Sequence, residues 1–250
     1  MMLTLQWIRS LVFIIQMYVM MLLMGLFFFI PALLSRRAAI FGMRSYCAWV
    51  RWTLSWMVGL TTEVRGPVPE GAVLIAAKHQ SFLDIILLMG SLPSGRFIMK
   101  RELMYAPILG QYALRIGCVP VNRGKRGKAI KKMAEDVRRG ATTPGQLIIY
   151  PQGTRIAPGV KAPYKVGTFV LYDQLQQPCV PAATNVGVFW PKRGILRKPG
   201  HAVMEFLPPL APGLDQASFM SQIEDVVERN SNALMREAGF DPEASARTPA

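Results

Sequence analysis

Cysteine is scarce in this chain: only Cys47, Cys118 and Cys179 occur among 250 residues. Three cysteines at these spacings form neither a disulfide framework nor a metal-binding pattern. Cysteines within apolar stretches are typical of small buried hydrophobic residues. A disulfide-stabilised extracellular domain is therefore disfavoured, and we expect the main domain to face a reducing cytoplasm.

Acidic residues are also few, 15 against 29 lysines and arginines, and none occurs before Glu63. The preceding segment carries five arginines: Arg9, Arg36, Arg37, Arg44 and Arg51. A segment that is apolar and cationic but lacks acids fits the surface of an anionic bilayer. The charge pattern therefore predicts membrane association for the first quarter of the chain.

Basic residues are concentrated between positions 100 and 139, where eleven stand against three acids, a local net charge of +8. Such a field attracts phosphate in nucleic acid, lipid head groups or phosphorylated metabolites. No helix-turn-helix, zinc or single-strand stacking pattern accompanies the charge, so nucleic acid is disfavoured as a partner. The favoured partners are therefore lipid head groups and a phosphorylated small molecule.

The chain has one long apolar run, residues 11–30, in which only Gln16 is strongly polar. A run of this length can cross a hydrocarbon core of about 30 Å. A signal peptide is the alternative interpretation, but its apolar region would be unusually long and no small-residue cleavage site follows Pro31. Arg36 and Arg37 just after the run predict that this end lies on the cytoplasmic side, at the inner membrane if the protein is bacterial.

A second candidate helix covers residues 38–60, in which tryptophans alternate with arginines. Such a composition suits the interface between water and acyl chains. We predict that Pro31 and a short basic turn end the first helix, and that the two helices form a hairpin in the cytoplasmic leaflet or a full span. A core helix of the soluble domain is the alternative for the second. The predicted division is a membrane-associated two-helix segment over 1–62 and an α/β domain over 63–250.

After residue 63 short apolar runs alternate with amphipathic segments, which predicts an α/β domain with a mixed, largely parallel central sheet flanked by helices. The predicted strands are VLIAA (73–77), RFIMK (96–100), CVPVN (118–122), QLIIY (146–150), CVPAA (179–183) and HAVMEF (201–206). The predicted helices are 81–91, 106–116, 128–139, 165–175 and 216–238.

Histidine occurs only at positions 79 and 201, and His79 follows a predicted strand by one residue. Ser81 is a good N-cap, and Asp84 stands three residues later, at the capping-box spacing. A carboxylate in the first helical turn can bend back and hold one imidazole nitrogen, leaving the other as an acceptor. That arrangement suits a general base acting on an alcohol that attacks a thioester. The alternative is that Asp84 only caps the helix; His201 is expected to be structural.

Five blocks in this chain resemble, in order, the motifs of the glycerolipid acyltransferases with a His-x4-Asp motif. They are HQSFLD (79–84), RFIMKREL (96–103), CVPVNR (118–123), YPQGTR (150–155) and VPA (180–182). The resemblance covers roughly residues 63–210 and is nearest to the 1-acylglycerol-3-phosphate acyltransferases. It implies the fold of the glycerol-3-phosphate acyltransferases and transfer of an acyl group to the sn-2 hydroxyl of lysophosphatidic acid, giving phosphatidic acid for phospholipid synthesis.

The resemblance also implies the roles of individual residues. His79 and Asp84 are the expected catalytic pair, and the expected substrate-binding residues are Lys100, Arg123, Gln152, Gly153, Thr154 and Arg155. A guanidinium offers paired donors to phosphate oxygens, so Arg155 is the strongest phosphate ligand among them. Gln152 replaces the glutamate that is usual in the family. If that glutamate mainly orients its neighbours, we expect this chain to be active; if its charge is required, we expect lower activity.

No metal or cofactor is expected, and the acyl donor is acyl-CoA or acyl carrier protein, which the basic stretch at 125–132 could contact. Two other functions fit parts of the sequence. The acceptor could be glycerol 3-phosphate, a lyso-ornithine lipid or another lysophospholipid. The chain could also be a non-catalytic lipid-binding or membrane-scaffolding protein, although that hypothesis gives no reason for His79, Asp84 and Arg155 to occur together.

Overall fold

The computed structural model describes residues 2–121, 135 and 145–246. Within these residues the strands form one seven-stranded sheet with the order β1-β7-β6-β2-β5-β3-β4. They are β1 (Leu60–Arg65), β2 (Val73–Ala77), β3 (Arg96–Lys100), β4 (Val119–Val121), β5 (Gln146–Ile149), β6 (Cys179–Thr184) and β7 (Gly200–Phe206). Neighbouring strands are parallel except β6 and β7, which are antiparallel. The predicted mixed, largely parallel sheet is confirmed.

Helices flank this sheet and precede it. They are α1 (Met2–Phe27), α2 (Phe29–Leu34), α3 (Arg36–Val58), α4 (Leu83–Ser91), α5 (Leu109–Ile116), α6 (Gly167–Leu175), α7 (Val186–Phe189), α8 (Gln216–Glu237) and α9 (Pro242–Ala246). A 3₁₀ turn, Arg101–Tyr105, follows β3. The predicted helix at 128–139 lies outside the described residues, apart from position 135.

The predicted ends of the first two helices were wrong. The first ends at Phe27, and Pro31 lies in the first turn of α2, where a missing backbone N–H costs no intrahelical hydrogen bond. The expected basic turn is instead the start of α3, where the hydroxyl of Ser35 accepts from the amide of Ala38. At the other end Gly59, with φ of 79°, stops α3, so Leu60 belongs to β1 and not to the helix.

One face of α3 belongs to the core of the domain. Its buried residues include Val50, Leu54 and Val58, and they share a hydrophobic cluster with Ile75 and Ala77 of β2. Helix α3 also contacts α1, where Gln16 donates to the hydroxyl of Thr53 at 3.0 Å. The alternative prediction, that the second helix belongs to the core of the domain, is therefore correct for this face of α3. The predicted hairpin is present, with the short helix α2 between its arms.

Helix α1 is long and apolar enough to cross a membrane by length and composition, the one such helix in the part of the chain that is described. Its buried residues are Ser10, Phe13, Met17 and Gly25, and only 22% of its most apolar window is buried. The rest of its surface exposes large hydrophobic side chains, among them Trp7, Ile15, Val19, Leu23 and Leu26. An exposed apolar surface of this size marks a contact with membrane or partner.

Side chains of the central strand β2 alternate between two cores, as expected for a strand covered on both faces. Ile75 and Ala77 pack in the cluster with α3 and α4, whereas Leu74 and Ala76 pack with Phe219 of α8. Strands β5 and β6 flank β2. The chain thus continues from β5 on one side of β2 to β6 on the other. In open α/β sheets, ligands bind at the carboxyl edge beside such a change of direction.

Candidate active site

His79 and Asp84 meet at the carboxyl end of β2. The Nδ1 atom of His79 lies 2.9 Å from Oδ1 of Asp84, and the histidine side chain is 14% exposed while the aspartate is fully buried. Helix α4 begins at Leu83 and not at the predicted Ser81, whose hydroxyl accepts from the amide of Leu83. Asp84 still lies in the first turn and bends back toward His79, as expected for its side chain.

The partners of Asp84 fix the tautomer of His79. Oδ2 of Asp84 accepts hydrogen bonds from the backbone amides of Gln80 and Ser81, each at 2.8 Å. An ionised carboxylate can only accept, so the Nδ1 of His79 carries the hydrogen of the bond to Oδ1. The lone pair is then on Nε2, which is the arrangement that a general base requires.

Tyr150, the first residue after β5, supports both members of the pair. Its ring stacks on the imidazole of His79 with 3.8 Å between centroids, and its hydroxyl donates to Oδ1 of Asp84 at 3.1 Å. Burial, followed by the negative charge of Asp84, raises the pKa of Tyr150, so the phenol stays a donor. No role was predicted for Tyr150 beyond its place at the end of the predicted strand QLIIY (146–150) and the start of the block YPQGTR.

The segment after Tyr150 turns sharply and returns to His79. The amide of Gly153 donates to the carbonyl of Tyr150 at 2.8 Å, and Gly153 has a φ of 70°, which glycine tolerates best. The amide of Ile156 then donates to the carbonyl of His79 at 2.8 Å. Gln152 in this turn is buried. Its amide nitrogen donates to the carbonyl of Ala162 at 3.1 Å.

A cavity of about 600 Å³ opens beside His79 and extends between α1, α3, α4 and α5. Its walls are mainly apolar, and representative lining residues are Met43, Phe82, Ile86, Met89 and Tyr112. The volume lies within the range of about 300–1,000 Å³ that is usual for small-molecule sites. An apolar cavity next to a candidate base is suited to a ligand that joins a hydrocarbon chain to a reactive polar group.

Cations line the same cavity. Lys100 ends β3 and forms an exposed ion pair with Glu102 at 3.3 Å. Arg155 donates to the carbonyl of Lys192 at 3.4 Å, and both residues line the cavity together with Thr154. The structure thus brings Lys100, Thr154 and Arg155 to one cavity with His79, and it adds Lys192. No motif in the sequence pointed to that lysine.

Gly153 does not line the cavity and instead forms the turn before Thr154 and Arg155. Arg123 and the basic stretch at 125–132 fall outside the described residues. Gln152 does not line the cavity; its side chain instead lies within 3.4 Å of Oε1 of Glu228, on α8. The second histidine, His201, is half exposed on β7, and its Nε2 lies 2.8 Å from Glu63.

The cysteines offer no nucleophile to this site. All three are buried. Cys47 and Cys118 line the cavity, and the sulfur of Cys118 accepts from the amide of Phe97. Burial raises the pKa of the Cys47 thiol to about 12 and that of the Cys118 thiol to about 11, so both are protonated at neutral pH. His79 is therefore placed to act on a substrate hydroxyl without a cysteine intermediate.

Comparison with known proteins agrees with this geometry. Residues 61–185 match the family model described as acyltransferase, which covers half of the chain. A 1-acyl-sn-glycerol-3-phosphate acyltransferase of Pseudomonas aeruginosa is 31% identical over 205 residues, 79% of this chain and 78% of that protein. The human enzyme named 1-acyl-sn-glycerol-3-phosphate acyltransferase alpha is 29% identical, over 75% of this chain and 68% of that protein. The chain belongs to the acyltransferase family.

A solved structure shares the fold. The 1-acyl-sn-glycerophosphate acyltransferase of Thermotoga maritima superimposes with a TM-score of 0.76 at 20% identity, covering 94% of this chain and 99% of that chain. At that identity the likeness establishes the architecture, including the amino-terminal helices, and not the substrate.

Proposed function

We propose that this acyltransferase moves a fatty acyl group from a thioester donor to the sn-2 hydroxyl of 1-acylglycerol 3-phosphate, giving phosphatidic acid. The observation that carries the proposal is the oriented pair of His79 and Asp84 in a cavity that also contains Arg155. The names of the relatives in Pseudomonas aeruginosa and human support the same acceptor.

In the proposed reaction His79 acts as the general base. Its Nε2 takes the proton of the acceptor hydroxyl while that oxygen attacks the thioester carbonyl, and a new ester bond forms as the carbon–sulfur bond breaks. The imidazolium then gives its proton to the departing thiolate, which restores the neutral ring. Asp84 holds the ring in the required tautomer and stabilises the transient positive charge.

The acceptor is proposed to lie with its phosphate among the cations and its hydrocarbon chain along the apolar wall. Arg155 is the main phosphate ligand, because its guanidinium forms paired hydrogen bonds to phosphate oxygens. Lys100 and Lys192 add positive charge at the same cavity. Arg123 is retained as a weaker candidate from the sequence alone. Gly153 is proposed to act through the turn that presents Thr154 and Arg155.

The donor is proposed to be acyl-CoA or acyl carrier protein. A thioester is already activated for attack by an alcohol, so no covalent acyl-enzyme is required. Both donors carry phosphate, and the exposed cation Lys192 lines the cavity. No metal or other cofactor enters the proposed reaction.

We further propose that the apolar face of α1, α2 and α3 enters the cytoplasmic leaflet while the α/β domain stays in the cytoplasm. Gln6 near the start of α1 donates to the carbonyl of Arg197 at 2.8 Å. Near the other end of α1, the hydroxyl of Tyr112 on α5 donates to the carbonyl of Gly25 at 2.9 Å. Because both ends of α1 are held close to the domain, α1 is proposed to lie in one leaflet without crossing the bilayer.

The test is release of free thiol from palmitoyl-CoA by the purified protein in phospholipid nanodiscs, with and without lysophosphatidic acid. We expect release to depend on lysophosphatidic acid and mass spectrometry to detect phosphatidic acid. His79→Ala should lower the rate by at least about 100-fold. His201→Ala removes the other histidine, which contacts Glu63, and serves as the matched control with normal activity.

Other acceptors and donors form the comparison arms of the same assay. Glycerol 3-phosphate, lysophosphatidylcholine and a lyso-ornithine lipid replace the acceptor, and palmitoyl-acyl carrier protein replaces the donor. A clear preference for another acceptor would refute the proposed substrate. Full activity in folded His79→Ala would refute the proposed base, and lipid binding without transfer would favour a non-catalytic protein.

A further inference from the structure

A second polar cluster adjoins the catalytic pair on the opposite face of the sheet. Lys78, the residue before His79, is only 2% exposed, and its ammonium lies 2.6 and 2.7 Å from the two carboxylate oxygens of Glu228. Burying an ammonium is costly unless a carboxylate pairs with it. Glu228, on α8, is therefore the counter-charge of a lysine that is joined directly to the candidate base.

The same carboxylate holds the segment that follows β5. Oε1 of Glu228 accepts from the hydroxyl of Tyr164 at 3.0 Å and from the side-chain amide of Gln152 at 3.4 Å. Burial, and then the charge of Glu228, raises the pKa of Tyr164, which keeps that phenol a donor. Three donors thus converge on one oxygen, and two of them belong to residues 151–165.

This segment carries the proposed phosphate ligand Arg155. Directly after Arg155, the amide of Ile156 donates a hydrogen bond to the carbonyl of His79. Gln152 and Tyr164 tie the rest of the segment to Glu228. The distance from Arg155 to His79 therefore depends on α8 as well as on the β5 turn.

We propose that Glu228 is a positioning residue for the acyl transfer proposed above, and that it supplies from α8 the negative charge that related motifs carry at position 152. Gln152 keeps the shape of glutamate and adds an N–H donor, so it fits beside an existing carboxylate. A glutamate there would place two carboxylates about 3.4 Å apart beside one lysine. Like charges so close in a partly buried site repel each other strongly.

We expect that the negative charge can be transferred from residue 228 to residue 152. The nitrogen atoms of Gln152 and Lys78 lie 3.4 and 2.6 Å from the same oxygen of Glu228, so we expect a carboxylate at 152 to pair with the lysine once residue 228 is neutral. Gln152→Glu and Glu228→Gln should each impair the enzyme, because one adds a repulsive charge and the other leaves Lys78 unpaired. The double variant should work, since it again holds one carboxylate for one ammonium.

The experiment compares wild type, Gln152→Glu, Glu228→Gln and the double variant in the thiol-release assay. Each single variant is expected to raise the KM for lysophosphatidic acid by about 10-fold or more, with the KM for palmitoyl-CoA changed by less than about 3-fold. The double variant should return to within about 3-fold of wild type. Glu224→Gln, which neutralises an exposed glutamate one turn earlier on α8, is the matched control with wild-type kinetics.

Thermal unfolding of the same proteins completes the design. Both single variants should unfold at lower temperature and the double variant should recover, a result that does not depend on turnover. Losses that add in the double variant, or a Gln152→Glu protein indistinguishable from wild type, overturn the proposal. If a single variant does not fold, a folded and active double variant supports the proposal and an unfolded or inactive one overturns it. A wild type without transferase activity refutes the proposed function, while the unfolding data still decide the charge pairing.

Discussion

The hydroxyl of Tyr150 donates at 3.1 Å to Oδ1 of Asp84, the same oxygen that lies 2.9 Å from Nδ1 of His79. The tyrosine ring is also stacked on the imidazole. Tyr150 therefore restrains the candidate base through two contacts, one on the ring and one through the carboxylate. It is a positioning residue, because it acts through Asp84 and His79.

Replacing Tyr150 with phenylalanine keeps the stacked ring and removes only the hydrogen bond. One neutral hydrogen bond contributes about 1 kcal/mol, so kcat should fall by roughly 3- to 10-fold with little change in KM. Because burial and Asp84 raise the pKa of Tyr150, the phenol stays protonated, and the ratio of the two kcat values should be constant from about pH 6 to about pH 10. A ratio that falls to one near pH 9 would show that Tyr150 ionises and would contradict this role.

Asp84→Asn tests whether the carboxylate charge is needed. The carboxylate accepts from Gln80, Ser81, Tyr150 and His79, and an asparagine nitrogen cannot accept from any of them. We expect kcat to fall by at least about 100-fold, together with a lower unfolding temperature. Circular dichroism at the assay temperature separates loss of chemistry from loss of fold. A near-normal kcat in the folded variant would show that Asp84 only caps the helix and would contradict its proposed role.

Arg155 can be tested by size and charge. Arg155→Ala should raise the KM for lysophosphatidic acid by about 10- to 100-fold, and Arg155→Lys should recover only part of it, because an ammonium lacks the paired donors. Arg193→Ala is the control, since Arg193 is an exposed cation in the same loop as Lys192. Equal effects of Arg155→Ala and Arg193→Ala would show a general dependence on positive charge and contradict a specific phosphate ligand.

The membrane face of α1 can be tested with charged substitutions. Val19 and Leu23 lie one turn apart, and their exposed fractions are 49% and 53%. Val19→Glu with Leu23→Glu should shift the protein from vesicle pellet to supernatant, because a carboxylate in the hydrocarbon core costs about 2.5–3.5 kcal/mol. The unfolding temperature should change little, since neither side chain is buried in the protein. Unchanged sedimentation of the folded double variant would contradict insertion of this face.

Local patterns in the sequence predicted six of the seven strands and the contact between His79 and Asp84, but they missed β1, Leu60–Arg65. Strand β2 was predicted at its observed bounds, because four of its five residues are fully buried and apolar. His79 and Asp84 are five positions apart in the sequence, so the capping pattern alone predicted their contact. Helix ends were less accurate: Pro31 was expected to stop a helix but lies where a first turn tolerates it.

Contacts between distant parts of the chain were decided only by the tertiary structure. Tyr150 and Asp84 are 66 residues apart, and Lys78 and Glu228 are 150 apart. Neither pair has a spacing that a sequence pattern can reveal, because parallel strands bring remote segments together at one sheet edge. The sequence by itself therefore determined the class of fold and the contact between His79 and Asp84. The packing of β5 and α8 around β2 decided that Tyr150 lies beside that pair and that Glu228 lies beside Lys78 and Gln152.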